Sequence, residues 1–253
     1  MDLRSLRAKG VEPCASERAV LPGWRLRFNV QHFFLHEGGV GNIEPSDDPS
    51  DVVWGVLHLC HGEHLALLDA AEAYGHGYDR IKVTVRTGRV KQRAIAYVGI
   101  PSFLNERCLP TRRYLNILLK GATTAGLDPV YIDAIRQLPV HQRQPAPPFV
   151  PPPGGKDRCF TAATLTRHPP LTALAGAVFN MSGARWQHSF LHDLFGGKDM
   201  TLFHLKRLDT SDGSETLDDI KHGRLSPAQR QYLNEYLREY STEYAYVGRY
   251  LYE

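Results

Sequence analysis

Asp51-Val52-Val53-Trp54-Gly55-Val56-Leu57-His58-Leu59, then Leu65-Ala66-Leu67-Leu68-Asp69-Ala70-Ala71-Glu72, then Arg80-Ile81-Lys82-Val83-Thr84-Val85 form the stretch on which the fold turns. The first run is apolar and of strand length, residues 62–73 switch to helical spacing, and alternation resumes after Gly75-His76-Gly77. Residues 93–98 read as a further strand, and Gly23-Trp24-Arg25-Leu26-Arg27-Phe28-Asn29-Val30 alternates as an earlier one. Several strands with few crossover helices predict a mainly antiparallel, barrel-like sheet rather than a doubly wound one. Residues 111–125 read as a helix with Tyr114, Leu115, Leu118, Leu119 and Ala122 on one face and Gly126 placed to end it.

Further on, Gln144-Pro145-Ala146-Pro147-Pro148-Phe149-Val150-Pro151-Pro152-Pro153-Gly154-Gly155 can neither continue a helix nor supply the donors of a central strand. Two readings fit: an extended linker between two units, or a proline-rich loop strapped over one larger domain. As a linker over 141–156 it separates a barrel domain over 1–140 from a small α+β domain over 157–253. In the latter, residues 160–165 and 201–205 read as strands and a helix is predicted around 186–194. Ser226-Pro227 opens a helix running to about Tyr240, and Tyr244, Tyr246, Tyr250 and Tyr252 mark a final strand.

Composition narrows the function classes. The formal charge of +3 across 253 residues is too small for a nucleic-acid footprint. Tyrosines near Arg238 and Arg249 suggest a stacking surface, but Glu235, Glu239, Glu243 and Glu253 cancel the charge, so packing is expected instead. No apolar run approaches the roughly 18 residues that span a bilayer, and Met1-Asp2-Leu3-Arg4-Ser5-Leu6-Arg7 lacks a signal-peptide core. A cytoplasmic protein with no membrane partner is expected. Cys14, Cys60, Cys108 and Cys159 are widely spread without a C-x-x-C pair, which argues against a disulfide framework or a Cys-rich zinc site. His58, Cys60, His61 and His64 are metal-ligating residue types, but their spacing does not make them converge. His188 and His192, at i and i+4, have no evident third ligand, so no metal or cofactor is expected.

The most informative local feature is Glu72. On a helix, Leu65, Leu68 and Glu72 share one stripe, which puts the carboxylate on the core-facing side. Such a glutamate is either paired with a cation or partly desolvated with a raised pKa, and the second suits a general base. Alternatively the helix frays before Ala73-Tyr74-Gly75 and Glu72 points to water.

Trp54-Gly55-Val56, Leu68-Asp69-Ala70-Ala71-Glu72 and Tyr78 leading into Ile81-Lys82-Val83 together resemble the motif series of the gamma-glutamylcyclotransferase (AIG2-like) family. Gly38-Gly39-Val40-Gly41-Asn42-Ile43, Pro110, Tyr114, Gly121-Ala122 and Gly126-Leu127 extend the resemblance over roughly residues 1–138. It implies an α+β fold, a small mixed β-barrel with flanking helices, to which the C-terminal α+β domain is appended. It also implies a bacterial-style enzyme whose partner is a small gamma-glutamyl amine or peptide, cyclised to 5-oxoproline with release of the amine or amino acid. Glu72 matches the catalytic glutamate, which takes a proton from the attacking α-amine and returns it to the leaving nitrogen. Tyr78 matches a pocket-lining position whose hydroxyl can donate to substrate oxygens, and Gly38, Gly39 and Asn42 match a segment beside the site. The family's Tyr-Gly-Ser-Asn substrate loop has no counterpart, because Met1 stands just after its expected end. The expectation is either a start codon assigned too late or a shortened, non-catalytic binding protein that keeps the barrel.

Overall fold

The alternation of Ile81, Val83 and Val85 with Lys82, Thr84 and Arg86 is realised as a strand with its apolar set inward. This is seen in a computed structural model that describes residues 3–142, 145–152 and 158–253. The chain forms two units, Met1–His32 with Glu37–Gln142, and Phe33–His36 with Arg143–Glu253. Four residues lying amid the first stretch thus belong to the second unit. Gly154 and Gly155 of the expected linker, with residues 143–144, lie outside the described residues.

The first unit is α+β. Its elements are α1 (Leu3–Ala8), β1 (Ala15–Pro22), β2 (Trp24–Gln31), β3 (Gly39–Pro45), β4 (Val52–Leu59), α2 (His64–Ala71), β5 (Tyr78–Thr87), β6 (Val90–Gly99), α3 (Arg112–Thr124) and α4 (Pro129–Arg136). The order β4-β1-β5-β6 makes an all-antiparallel sheet, and β2 and β3 form a separate antiparallel ribbon. Together they make a curled half-barrel. Buried Asn42 joins ribbon to sheet: its Oδ1 accepts from the Gly99 N–H at 3.0 Å, and its Nδ2 donates to Asn29 Oδ1 at 3.0 Å. Ala19, Leu21, Val83 and Val85 form one core cluster, while Leu115 of α3 meets Phe28 and Ile135 in another. Thr111 caps α3 by accepting from the Tyr114 N–H, and Gly126 at φ +63° follows its end as expected. Strand β1 escapes sequence reading because only Ala19 and Leu21 of its eight residues are buried. It is nevertheless flanked on both sides.

The second unit contains β7 (Cys159–Phe160), α5 (Ala162–Thr166), β8 (Leu171–Leu174), β9 (Ala177–Asn180), α6 (Leu191–Phe195), α7 (Thr201–Leu205), α8 (Leu217–Lys221), α9 (Pro227–Glu243) and β10 (Ala245–Tyr250). Its sheet runs β7-β10-β9-β8, with β7 and β10 parallel and the other pairs antiparallel. Ala175 and Gly176, both at positive φ, turn β8 into β9. Two expected strands are corrected. Residues 201–205 are helical, and their buried members Thr201, His204 and Leu205 follow helical spacing. Only Cys159–Phe160 is a strand in the other, because Thr161 and Thr164 form a reciprocal cap that starts α5. The helix expected around 186–194 is a 3-10 turn, Trp186–His188, followed by α6. Residues 145–152 are irregular and strapped to α9: Asn234 Nδ2 donates to the Ala146 and Pro147 carbonyls and its Oδ1 accepts from the Phe149 N–H. No described helix is long and apolar enough to cross a membrane.

Phe34 sits at the centre of this unit. It is 2% exposed and ringed by Phe195, Tyr236, Tyr240, His188 and His204, with centroids 5.2–6.0 Å away. Phe34→Ala should cost about 3–5 kcal/mol in urea unfolding. Hydrogen exchange should rise first in β9 and α9, and a rise confined to β2 and β3 would contradict the assignment of 33–36 to this unit. Asp199 offers a second test. Burial pushes its carboxyl up to about 6, against hydrogen bonds from Thr201 and Tyr252 that pull it down. A raised carboxyl stabilises the fold below its unfolded value near 4, and that contribution is lost as pH rises through 6. Asp199→Asn should therefore raise the unfolding temperature above pH 6, on the order of 2 kcal/mol of stability, and change little near pH 4. An equal gain at both pH values would refute the buried acid.

Candidate active site

Glu72 is the residue on which α2 ends. Its N–H still donates to the Leu68 carbonyl at 2.9 Å, and the next residue, Ala73, turns the chain at φ +50°. That conformation costs a residue with a side chain about 1–2 kcal/mol. It is held because the Ala73 carbonyl accepts from the His76 and Gly77 N–H groups at 2.9 and 2.8 Å. The reversal delivers the chain straight into Tyr78, the first residue of β5. Glu72 and Tyr78 therefore flank a single tight turn.

The carboxylate of Glu72 is 29% exposed and does not stand alone in water. Its Oε1 accepts from Lys9 Nζ at 2.8 Å, and the lysine side chain is 26% exposed. Of the outcomes open to a core-facing glutamate, pairing with a cation is the one taken. Lys9 follows α1 in a turn closed by Gly10 at φ +77°, and buried Val11 anchors the segment with its N–H on the Leu6 carbonyl at 3.0 Å.

Tyr78 donates its hydroxyl to the Gly41 carbonyl at 2.8 Å, while the Gly41 N–H donates to Tyr114 Oη at 3.0 Å. Burial first, then the neighbouring Tyr114 and Glu72, push the Tyr78 hydroxyl well above its ordinary value, so it stays protonated. Its one proton goes to the Gly41 carbonyl here. What remains is acceptor capacity. Tyr97 stands directly across from Arg80 in the β5–β6 register and donates to Asp69 Oδ1 at 2.8 Å, and Arg80 reaches Asp69 Oδ2 at 3.3 Å. Burial and the bond to Asp69 raise the Tyr97 hydroxyl, with Glu72 adding to the effect. Arg80 also lies 4.3 Å above the Tyr74 ring.

The glycine segment packs closely against neighbouring backbone. The Gly39 N–H donates to the Leu109 carbonyl at 2.9 Å, and a Cβ there would lie 1.9 Å from the Phe28 carbonyl oxygen. Gly38, at φ +70°, leaves only 2.5 Å to the Leu109 oxygen. Asn42 spends both ends of its amide on Gly99 and Asn29. The structure thus gathers Glu72, Tyr78 and the Gly41 peptide, and gives Gly38, Gly39 and Asn42 internal partners. Lys9, Tyr97 and Arg80 were not singled out from sequence. The Arg80–Tyr97 pairing depends on strand register, and Lys9 is 63 residues from Glu72.

His58, His188 and His192 have local partners. His58 Nδ1 bonds Ser16 Oγ across β1 and β4 at 2.8 Å, and burial lowers this imidazole to about 4. His188 bonds Tyr244 Oη and the Phe33 carbonyl, each at 2.8 Å, and His192 bonds the Met181 carbonyl at 3.0 Å. Among the described residues, no three His, Cys, Asp or Glu side chains group to hold a metal ion.

Residues 52–135, which include Glu72, Tyr78 and Tyr97, match the AIG2-like family. No curated protein matches the chain. Among solved structures the chain is similar to a gamma-glutamyl cyclotransferase, 21% identical over 56% of this chain and 83% of that one, with a TM-score of 0.48. It is also similar to an uncharacterized human protein, 24% identical over 51% and 79% of the two chains with a TM-score of 0.44. A third likeness is to YkqA from Bacillus subtilis, 19% identical over 49% and 45% with a TM-score of 0.42.

The glycine geometry is testable. Gly39→Ala should destabilise the first unit by about 3 kcal/mol or more through overpacking against the Phe28 carbonyl. A variant that folds with unchanged melting behaviour would contradict this close approach to the Phe28 carbonyl.

Proposed function

Because residues 52–135 match the AIG2-like family, we propose that this chain is a gamma-glutamylcyclotransferase-type enzyme with Glu72 as its general acid and base. The observation that carries this reading is the placement of Glu72 within the matched span. It is half-buried at a strained turn, beside a tyrosine hydroxyl that stays protonated. The substrate class is a gamma-glutamyl amine or peptide. Its α-nitrogen attacks the side-chain amide carbon, a new C–N bond closes the five-membered ring, and the old C–N bond breaks. The products are 5-oxoproline and the free amine.

The α-ammonium sheds two protons on its way to the lactam N–H. An ammonium has no lone pair, so Glu72 first takes one proton from the α-nitrogen. An amide nitrogen leaves poorly unless protonated, so the same carboxyl returns that proton to it, and the second proton shed by the ring nitrogen goes to the departing amine, which leaves as an ammonium. Ring closure is intramolecular, and holding the substrate folded contributes through orientation. Tyr78, its proton bound to Gly41, presents lone pairs that can accept from the substrate nitrogen. In this reading Gly38, Gly39 and Asn42 support the site by fixing β3, and Gly41 is the peptide that orients Tyr78.

Incubation with gamma-glutamyl dipeptides and amines should yield 5-oxoproline, and Glu72→Gln should cut kcat by about 100-fold or more while leaving the melting temperature nearly unchanged. Turnover that survives this substitution would remove Glu72 from the chemistry. Binding of gamma-glutamyl compounds without turnover would instead favour a binding protein that keeps the half-barrel.

A further inference from the structure

The proposed acid and base is held by the chain's own cation. Lys9 and Glu72 present opposite charges 2.8 Å apart, each about three-quarters shielded from water. Partly exposed ion pairs of this kind contribute little to stability, so exchanging partners is inexpensive. Their arrangement is complementary to an α-amino-acid head group, whose ammonium and carboxylate hang from one carbon. Two other charges of the site are engaged with one another: Asp69 holds both Arg80 and the Tyr97 hydroxyl. Lys9 is also delivered by a fixed segment, since Gly10 closes the turn after α1 and Val11 is completely buried.

We propose that Lys9 and Glu72 together receive the free head group of the glutamyl moiety, Glu72 taking the ammonium and Lys9 swinging to the carboxylate. This rests on the cyclotransferase reading for the identity of the substrate, and it adds a specificity-determining residue from outside the family-matched span. The exchange has a mechanistic consequence. Substrate arrival frees Glu72 from Lys9 at the same moment that it supplies the nitrogen from which Glu72 takes a proton. A ligand lacking the α-carboxylate leaves Lys9 without a new partner and competes poorly for Glu72.

Calorimetric titration of the full chain should use two probes, a gamma-glutamyl dipeptide and its counterpart with the glutamyl α-carboxylate converted to a primary amide. The wild type should prefer the acid by about tenfold or more, the scale of a charge-assisted hydrogen bond. Lys9→Gln should erase the preference by weakening the acid alone, and Lys9→Arg should keep most of it. Equal weakening of both probes, or of neither, overturns the role of Lys9. Release of 5-oxoproline is measured in parallel. Turnover with a preference indifferent to Lys9→Gln removes this inference and leaves the cyclotransferase reading. A Lys9-dependent preference without turnover removes that reading and keeps the head-group site. Failure of the wild type to bind either probe overturns both.

Discussion

Glu239 accepts the backbone N–H groups of Leu35 and His36 together with the His36 ring, and this carboxylate grip fixes the path of the chain. Burial works to raise the Glu239 carboxyl, yet the His36 ring and the two N–H groups outweigh it and hold it below its ordinary value. Phe33 is held the same way, its carbonyl accepting from Arg185 and bonding His188. The segment is thus bound through its backbone as well as through Phe34. Glu37, the next residue, is 2% exposed and pairs with Arg113 in the first unit. Adjacent residues are thus tied by charge into different units.

The candidate site is therefore assembled from four pieces of backbone whose positions are set elsewhere. A strained alanine turn brings Glu72 next to Tyr78, and the β2–β3 ribbon supplies the peptide that occupies the tyrosine's proton. Asn42 locks that ribbon to the end of β6, and the N-terminal segment supplies the counter-charge. Both tyrosine hydroxyls near Glu72 remain protonated, because burial penalises their ionised forms and the glutamate repels them. Glu72, Lys9, Asp69 and Arg80 thus carry the charges of the candidate site.

Sequence reading reached the elements whose residue pattern is long enough to show. Strands β2, β5 and β6 alternate and helix α3 repeats over eight or more residues, and β4 stands out as an apolar run of strand length. Residues 201–205 did not, because Thr201, Phe203 and His204 are β-branched or aromatic and a five-residue run fits either period, and only Thr201, His204 and Leu205 facing inward reveals the helix. Strand β1 is polar over its first half although neighbours cover both its edges. At the site, the apolar stripe left Glu72 open between a cation and water and the resemblance singled it out, whereas Gly38 and Gly39 matched a segment beside the site. A missing side chain serves a passing backbone as well as a ligand, and sequence does not distinguish the two uses. Lys9 was hidden because nothing in an isolated lysine announces a partner 63 residues away.

The grip on residues 33–36 bears on how the molecule is made. On the ribosome Phe34 emerges long before Glu239, which lies 204 residues beyond Leu35. Until the last helix has been synthesised, the tetrapeptide has no aromatic cage to enter, and the strands on either side of it pair around a looped-out apolar segment. Vectorial folding of the N-terminal stretch can then go only partway, with completion awaiting a late ring closure across most of the chain. The same topology restrains gene rearrangement. A recombination event at the proline-rich segment would separate the second unit from the residue at the centre of its core, so the two halves are expected to be inherited together.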